Sequence, residues 1–160
     1  MLFRYRLILG FFIFGLIVSG LTAFVLPTEL EILSRLLGIS DPFSYAEMQG
    51  LRRWIAFVQF GLDQTYSRFP FLGYATDWLA FGHLVIAVFF ILPLLDPTRY
   101  RGVLSVGLVA CAGVIAIALI CRPIRGIPFY WRLIDCSFGV VGAIPLLYCL
   151  HLTKKMNREL

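Results

Sequence analysis

Six residues carry the groups that could do chemistry in this chain: Asp77, His83, Arg122, Arg125, Arg132 and Asp135. Histidine and carboxylates can move protons, and an arginine can clamp an anion with two parallel hydrogen bonds. All six lie inside or at the edge of a long apolar run. An ionisable side chain there is costly and is a functional candidate by default. Arg132 and Asp135 are three apart, so on a helix they share a face and can pair. Three arginines against two carboxylates leave a surplus of positive charge. That surplus suits an anionic ligand: a lipid headgroup, a phosphate, or an acidic residue on a partner.

The same residues have a purely structural explanation. Thr76 or Asp77 can cap the start of a helix, where negative charge complements the helix dipole. His83 can hydrogen-bond to a carbonyl of another helix. Arg132 and Asp135 can satisfy each other while Arg122 and Arg125 extend to headgroups. No nucleophile–base pair, metal-ligand cluster or phosphate-binding loop is recognisable beside them. A haem ligand at His83 is the one cofactor option; the other histidine, His151, falls at the opposite end of its run, which excludes a bis-histidine haem within one chain. The four cysteines, Cys111, Cys121, Cys136 and Cys149, sit within or at the ends of apolar runs and form no C-x-x-C pair. Cys136 lies roughly 12 Å inside the helix expected from Pro128, at about 1.5 Å per residue, which disfavours a disulfide to Cys121.

The elements that must position these groups are set by composition. The chain has 160 residues, 60% of them hydrophobic and 14% charged, with a mean hydropathy of +0.88. A soluble domain carries about a quarter charged residues, so the expected solvent is a bilayer. Four runs are long enough to cross it: Leu7–Leu26, Trp78–Leu95, Val103–Cys121 and Pro128–Leu150. The fold class expected is an all-α integral membrane protein in one domain, with four transmembrane helices. The period-two alternation of a β-barrel is missing. The first run, preceded by Arg4 and Arg6, is too long for a signal-peptide core and has no A-x-A-like site after it, so it is expected to stay as an anchor.

Lysine and arginine placement sets the expected orientation. Arg4, Arg6, Arg99, Arg101, Lys154, Lys155 and Arg158 crowd three short segments on one side; Arg35, Arg52, Arg53 and Arg68 are spread through a long loop on the other, with Arg122, Arg125 and Arg132. Both termini are therefore expected in the cytoplasm, with a bacterial inner membrane as the setting. The net charge of +5 follows this topology and forms no basic stripe of the kind that binds nucleic acid.

The loop from Pro27 to Ala75 should be helical, as an extracytoplasmic cap over about residues 28–75. Thr28 with Glu31, and Ser44 with Glu47, have capping-box spacing. The first pair predicts a helix ending near Gly38; the second predicts one through about Thr65. Met48, Leu51, Ile55, Val58 and Leu62 fall on one face of that second helix, widened by Trp54, Phe57 and Phe60. An aromatic amphipathic helix of this kind lies on a membrane surface or caps a bundle. The spans carry small residues at close-packing spacing: Gly15 with Ser19, Gly107 with Ala110 and Gly113, and Gly139 with Ala143. They serve packing within the chain, or docking of a partner membrane protein or a second copy.

A non-enzymatic accessory or scaffold subunit, binding a membrane partner or anionic lipid at its extracytoplasmic side, ranks first among functions. The alternative is a small membrane enzyme or cofactor-binding protein acting on an anionic or lipid-like substrate at the Arg/Asp/His cluster. A transporter ranks last, because the polar groups gather towards one side and offer no path across.

Overall fold

A computed structural model describes residues 1–157, without the side chain of Arg122. Arg158, one of the cations used for orientation, lies outside the described residues. Six α-helices follow one another: α1 (Leu2–Phe24), α2 (Leu26–Leu36), α3 (Gly50–Arg68), α4 (Tyr74–Leu95), α5 (Arg101–Ile124) and α6 (Phe129–Met156). Two 3-10 turns, Pro42–Glu47 and Pro70–Gly73, precede α3 and α4. No strand occurs among the described residues. Four of the helices, α1, α4, α5 and α6, are long and apolar enough to cross a membrane. They overrun most ends of the apolar runs, because a hydrogen-bonded ladder continues through flanking polar residues. α4 ends with its run at Leu95, α6 starts one residue late at Phe129, and α1 stops short. Pro27 has no N–H to offer the carbonyl of Ala23, so α1 stops at Phe24, and the chain re-enters a helix after Val25 with Pro27 in its first turn.

The chain divides into two compact units, one made of Met1–Leu16 with Ile86–Leu160, the other of Ile17–Val85.

In the first unit, Tyr5, Leu9, Ile13, Ala87, Phe90, Leu104, Leu146, Cys149 and Leu152 form a buried core. Antiparallel α5 and α6 make its most extensive contact. Two glycines make the approach possible. A Cβ at Gly139 would lie 2.6 Å from the carbonyl oxygen of Cys111, and one at Gly107 would lie 2.9 Å from Cδ1 of Leu146 on α6 and 2.5 Å from the Phe90 ring on α4. Gly113 faces open space, so the small-residue pattern of α5 is only partly used inside the chain. At one end of the unit the buried hydroxyl of Tyr5 donates to the carbonyl of Pro93 at 2.9 Å. That carbonyl would ordinarily accept from the N–H of residue 97, but residue 97 is proline. Tyr5 thus satisfies a buried acceptor that its own helix cannot. The thiol of Cys149 reaches the Tyr5 carbonyl at 3.9 Å, so α1, α4 and α6 meet here. Asp96 then turns the chain into α5: its carboxylate accepts from the Arg99 backbone N–H and the Thr98 hydroxyl, each at 3.0 Å. Those bonds, the Arg99 N–H first, hold its pKa below the usual carboxylate range.

In the second unit, α2 and α3 pack on each other, burying Leu30, Ser34, Ile55 and Ala56. Ser34 donates to Gln59 across the pair. α2 ends as anticipated at Gly38, whose φ of +67° suits glycine. The N–H of Ile39 returns to the Ser34 carbonyl at 2.9 Å and that of Gly38 to Arg35 at 3.0 Å, a Schellman closure. Arg52 from α3 adds a bond to the Gly38 carbonyl at 2.8 Å. Both expected capping boxes differ from what is observed. Thr28 lies inside α2, and Glu31 pairs with Arg35 one turn on. Asp41, not Ser44, caps the turn at Pro42–Glu47, accepting from the Phe43 N–H at 3.0 Å and the Ser44 hydroxyl at 2.9 Å. A carboxylate directly before proline outcompetes a hydroxyl two residues into the turn. The α3 helix therefore starts at Gly50 and runs to Arg68. Its buried face holds Ile55 and Ala56, while Leu51 and Phe57 are exposed.

Two outcomes check this packing. Tyr5→Phe leaves the Pro93 carbonyl buried without a donor and should cost about 1–3 kcal/mol. Adding Pro97→Ala, which restores an N–H at the regular helical position, should recover part of the loss in a thermal unfolding series; no recovery would refute the orphan-carbonyl account. Gly139→Ala should destabilise by about 1–3 kcal/mol through overpacking, whereas Gly113→Ala should be neutral or mildly stabilising.

Candidate functional site

The six candidate residues fall into the two units. Asp77 and His83 belong to Ile17–Val85; Arg122, Arg125, Arg132 and Asp135 belong to the other unit.

In the first set, α4 begins directly after the Pro70–Gly73 turn. The Thr76 hydroxyl turns back to the Gly73 carbonyl at 2.6 Å and lies 3.3 Å from the Tyr66 hydroxyl. It therefore anchors α4 to the end of α3 instead of capping it. Asp77 is half-buried in the first turn of α4, where its charge complements the helix dipole. His83 is half-buried two turns further on. Its Nδ1 lies 2.8 Å from the carbonyl oxygen of Leu79, one turn back on the same helix. The partner is thus its own backbone, not another helix as the sequence led us to expect. Gly20 on α1 faces this point: a Cβ there would come within 3.0 Å of the Ala80 carbonyl oxygen and 3.2 Å of the His83 Cβ. Glycine at this position lets α1 lie against the histidine-bearing turn.

In the second set, the hairpin between α5 and α6 is short because Gly126 takes a φ of +69° and returns its N–H to the Pro123 carbonyl at 3.1 Å. Arg122 lies in the last turn of α5, and its side chain is outside what the structure describes. Arg125 is exposed at the tip. Pro128 stands as the N-cap residue of α6, and its carbonyl accepts from the N–H groups of Trp131 and Arg132 at 3.1 and 3.2 Å. The Arg132 side chain is half-buried, and its Nε donates to the Ile127 carbonyl at 2.9 Å. The guanidinium is therefore bonded to the turn at the entry to α6. Asp135 is half-buried three residues on.

Within each unit, backbone carbonyls engage the best-placed polar groups. That arrangement can fix helix starts and turns, and Arg125 stays exposed at the hairpin tip. Among the described residues no group of three or more His, Cys, Asp or Glu side chains is placed to hold a metal ion. Sequence reasoning missed two features. One is Tyr5, for which the four-residue spacing of Pro93 and Pro97 was the available signal. The other is a surface cavity of about 360 Å³ lined by Ser44, Glu47, Met48, Gln49 and Arg52, which no local motif announces.

The fold and site define a class: an all-helical chain with four helices long and apolar enough to span a bilayer, joined by short turns except for the helical segment between the first and second. No family model, curated protein or solved structure matches the chain.

The geometry at His83 makes one prediction. In the neutral ring, donation to Leu79 requires the proton on Nδ1 and leaves Nε2 as an acceptor. Nitrogen-15 spectra of labelled protein in the neutral form should show Nδ1 as the protonated nitrogen; the opposite tautomer would show that the Leu79 bond does not hold the ring.

Proposed function

We propose that the chain is a polytopic membrane protein with both termini in the cytoplasm, the α2–α3 segment as an extracytoplasmic cap, and a bacterial inner membrane as its setting. It acts as a non-enzymatic accessory or scaffold subunit that binds a membrane partner or anionic lipid at its extracytoplasmic side. The observation that carries this is the apolar surface left on all four long helices. Phe11 on α1 is 74% exposed, Val109 on α5 is 72% exposed, and Phe138 on α6 is 67% exposed. On α4, Val88 and Phe89 face outward as well. Faces this large must be covered by lipid or by protein. The polar groups support the same role. His83 and Arg132 are committed to carbonyls of their own helix or turn, while Arg125 is exposed at a hairpin tip, where a phosphate or carboxylate can reach it.

Two measurements test the proposal. Membranes washed with alkaline carbonate should retain the chain; release would remove the membrane reading. Native mass spectrometry after gentle extraction should show a stoichiometric membrane partner or retained anionic lipid, with Arg125→Gln weakening the association severalfold. A lone chain free of lipid would sink the accessory role. The enzymatic alternative would gain if His83→Ala left the fold and its associations intact yet removed a measurable conversion of an anionic lipid.

A further inference from the structure

The strongest charged surface lies away from the six candidate residues, at the other end of α5. Three segments of the first unit meet there: the start of α1, the turn from α4 into α5, and the end of α6. The bonds from the Tyr5 hydroxyl to Pro93 and from the Cys149 thiol to Tyr5 fix that meeting. Leu104 and Leu152 fill the space beneath. Around it stand Arg4, Arg6, Arg99, Arg101, Lys154 and Lys155, all exposed. None of the six forms an ion pair among the described residues, where Arg35 with Glu31 is the pair observed. The carboxylate closest to them in sequence, Asp96, has an oxygen already used by Thr98 and Arg99 within its own turn. The α5 helix has 24 residues, so about 36 Å of helix, at about 1.5 Å per residue, separates this end from the hairpin at Arg125.

We infer that these six cations form a binding surface for anionic phospholipid headgroups, a second lipid-binding region at the end of the bundle remote from the Arg125 hairpin. The inference rests on the membrane reading above and goes beyond it. Charge complementarity defines the ligand as an anion, and the neighbouring side chains favour lipid over an acidic protein. Phe3 and Leu7 are exposed next to Arg4 and Arg6, Leu95 is exposed beside the turn that carries Arg99 and Arg101, and Val106 is exposed one turn into α5. Cations interleaved with bare apolar side chains match the boundary between headgroups and acyl chains, where long basic side chains lie along apolar surface and put their charge among phosphates. Exposed polar side chains there are few and short, Thr98 and Ser105 with His151, beside the larger bare apolar side chains. Arg99 also lies over the Tyr100 ring, 5.4 Å from its centre; the ring gives this guanidinium an apolar support close to the turn.

The test uses the full chain purified in mild detergent and mixed with equal amounts of phosphatidylglycerol and phosphatidylcholine. Native mass spectrometry should show phosphatidylglycerol retained in preference. Each paired neutralisation, Arg4→Gln with Arg6→Gln, Arg99→Gln with Arg101→Gln, or Lys154→Gln with Lys155→Gln, should lower that preference roughly fivefold or more. High salt should lower it in the unmutated chain as well, which keeps the test valid if a variant misfolds. Equal retention of the two lipids, or a preference untouched by salt and by all three paired variants, would overturn the inference. Displacement of the lipid by poly-glutamate at matched charge would overturn it in favour of an acidic polypeptide partner. Carbonate release of the chain from membranes would instead strike the membrane reading itself, so the two failures are distinguishable.

Discussion

A buried backbone carbonyl with no donor in its own helix is the constraint from which much of the first unit follows. Pro97 turns the chain out of α4 and, by having no N–H, strands the oxygen of Pro93. In water that oxygen would be solvated; in an apolar interior it needs a partner. The hydroxyl of Tyr5 supplies one across 88 residues of sequence. Tyr5 must then be fully buried, which draws the first turns of α1 against α4, and its carbonyl comes within reach of Cys149 on α6. One satisfied acceptor therefore ties the beginning, middle and end of the chain together at one point. It also sets six cations around that point, because the residues flanking each of the three segments are basic.

Elsewhere, close helix approach takes over from polar bonding. In the bilayer proposed above there would be little hydrophobic gain in bringing two apolar helices together, so contact would depend on shape. Gly139 and Gly107 remove the side chain where α5 and α6 would otherwise be held apart, and Gly20 does the same for α1 at Ala80 and His83. At Gly10, Gly15, Gly82 and Gly113 a Cβ would meet nothing within 4 Å. Glycine at those positions leaves shallow, unfilled helix surface within each unit. The small-residue pattern is therefore only partly used in packing within each unit.

The four long helices were legible from hydropathy because the same apolar side chains that favour lipid also mark the helix length. Several ends were not. Helix ends are decided by which group reaches an orphaned N–H or carbonyl, and one sequence offers several candidates. Asp41 and Ser44 compete for the same turn, and the carboxylate before Pro42 wins. Gly38 was legible because a left-handed residue closing a helix admits few side chains. Of the candidate polar residues, the sequence showed which were costly but not what they touch. Three-residue spacing allowed Arg132 to meet Asp135 but did not show that its Nε donates to the Ile127 carbonyl, presented by the turn that Gly126 and Pro128 shape. His83 behaves alike. Its own Leu79 carbonyl lies one turn back, with no inter-helix distance to cross.

Local satisfaction of this kind has a functional consequence. A polar group bonded within its own turn helps that turn keep its shape when a partner or lipid binds nearby, and it is poorly placed to change partners during a reaction. Arg132 and His83 are of this type. Arg125 and the six cations at the far end of α5 are exposed and unconstrained by ion pairs among the described residues, so they can reorganise around phosphates at small cost. On the readings proposed above, the two ends of α5 would serve different tasks. At the hairpin, the exposed Arg125 stands on a tightly bonded turn, which would suit recognition of a single group in a fixed direction. At the Tyr5 end, six long flexible cations surround a rigid apolar plug, which suits many headgroups held loosely. On the proposed membrane reading, a packed plug beneath exposed charge would keep the helix ends fixed in depth while the lipid around them exchanges. An accessory subunit of the kind proposed above would need that combination.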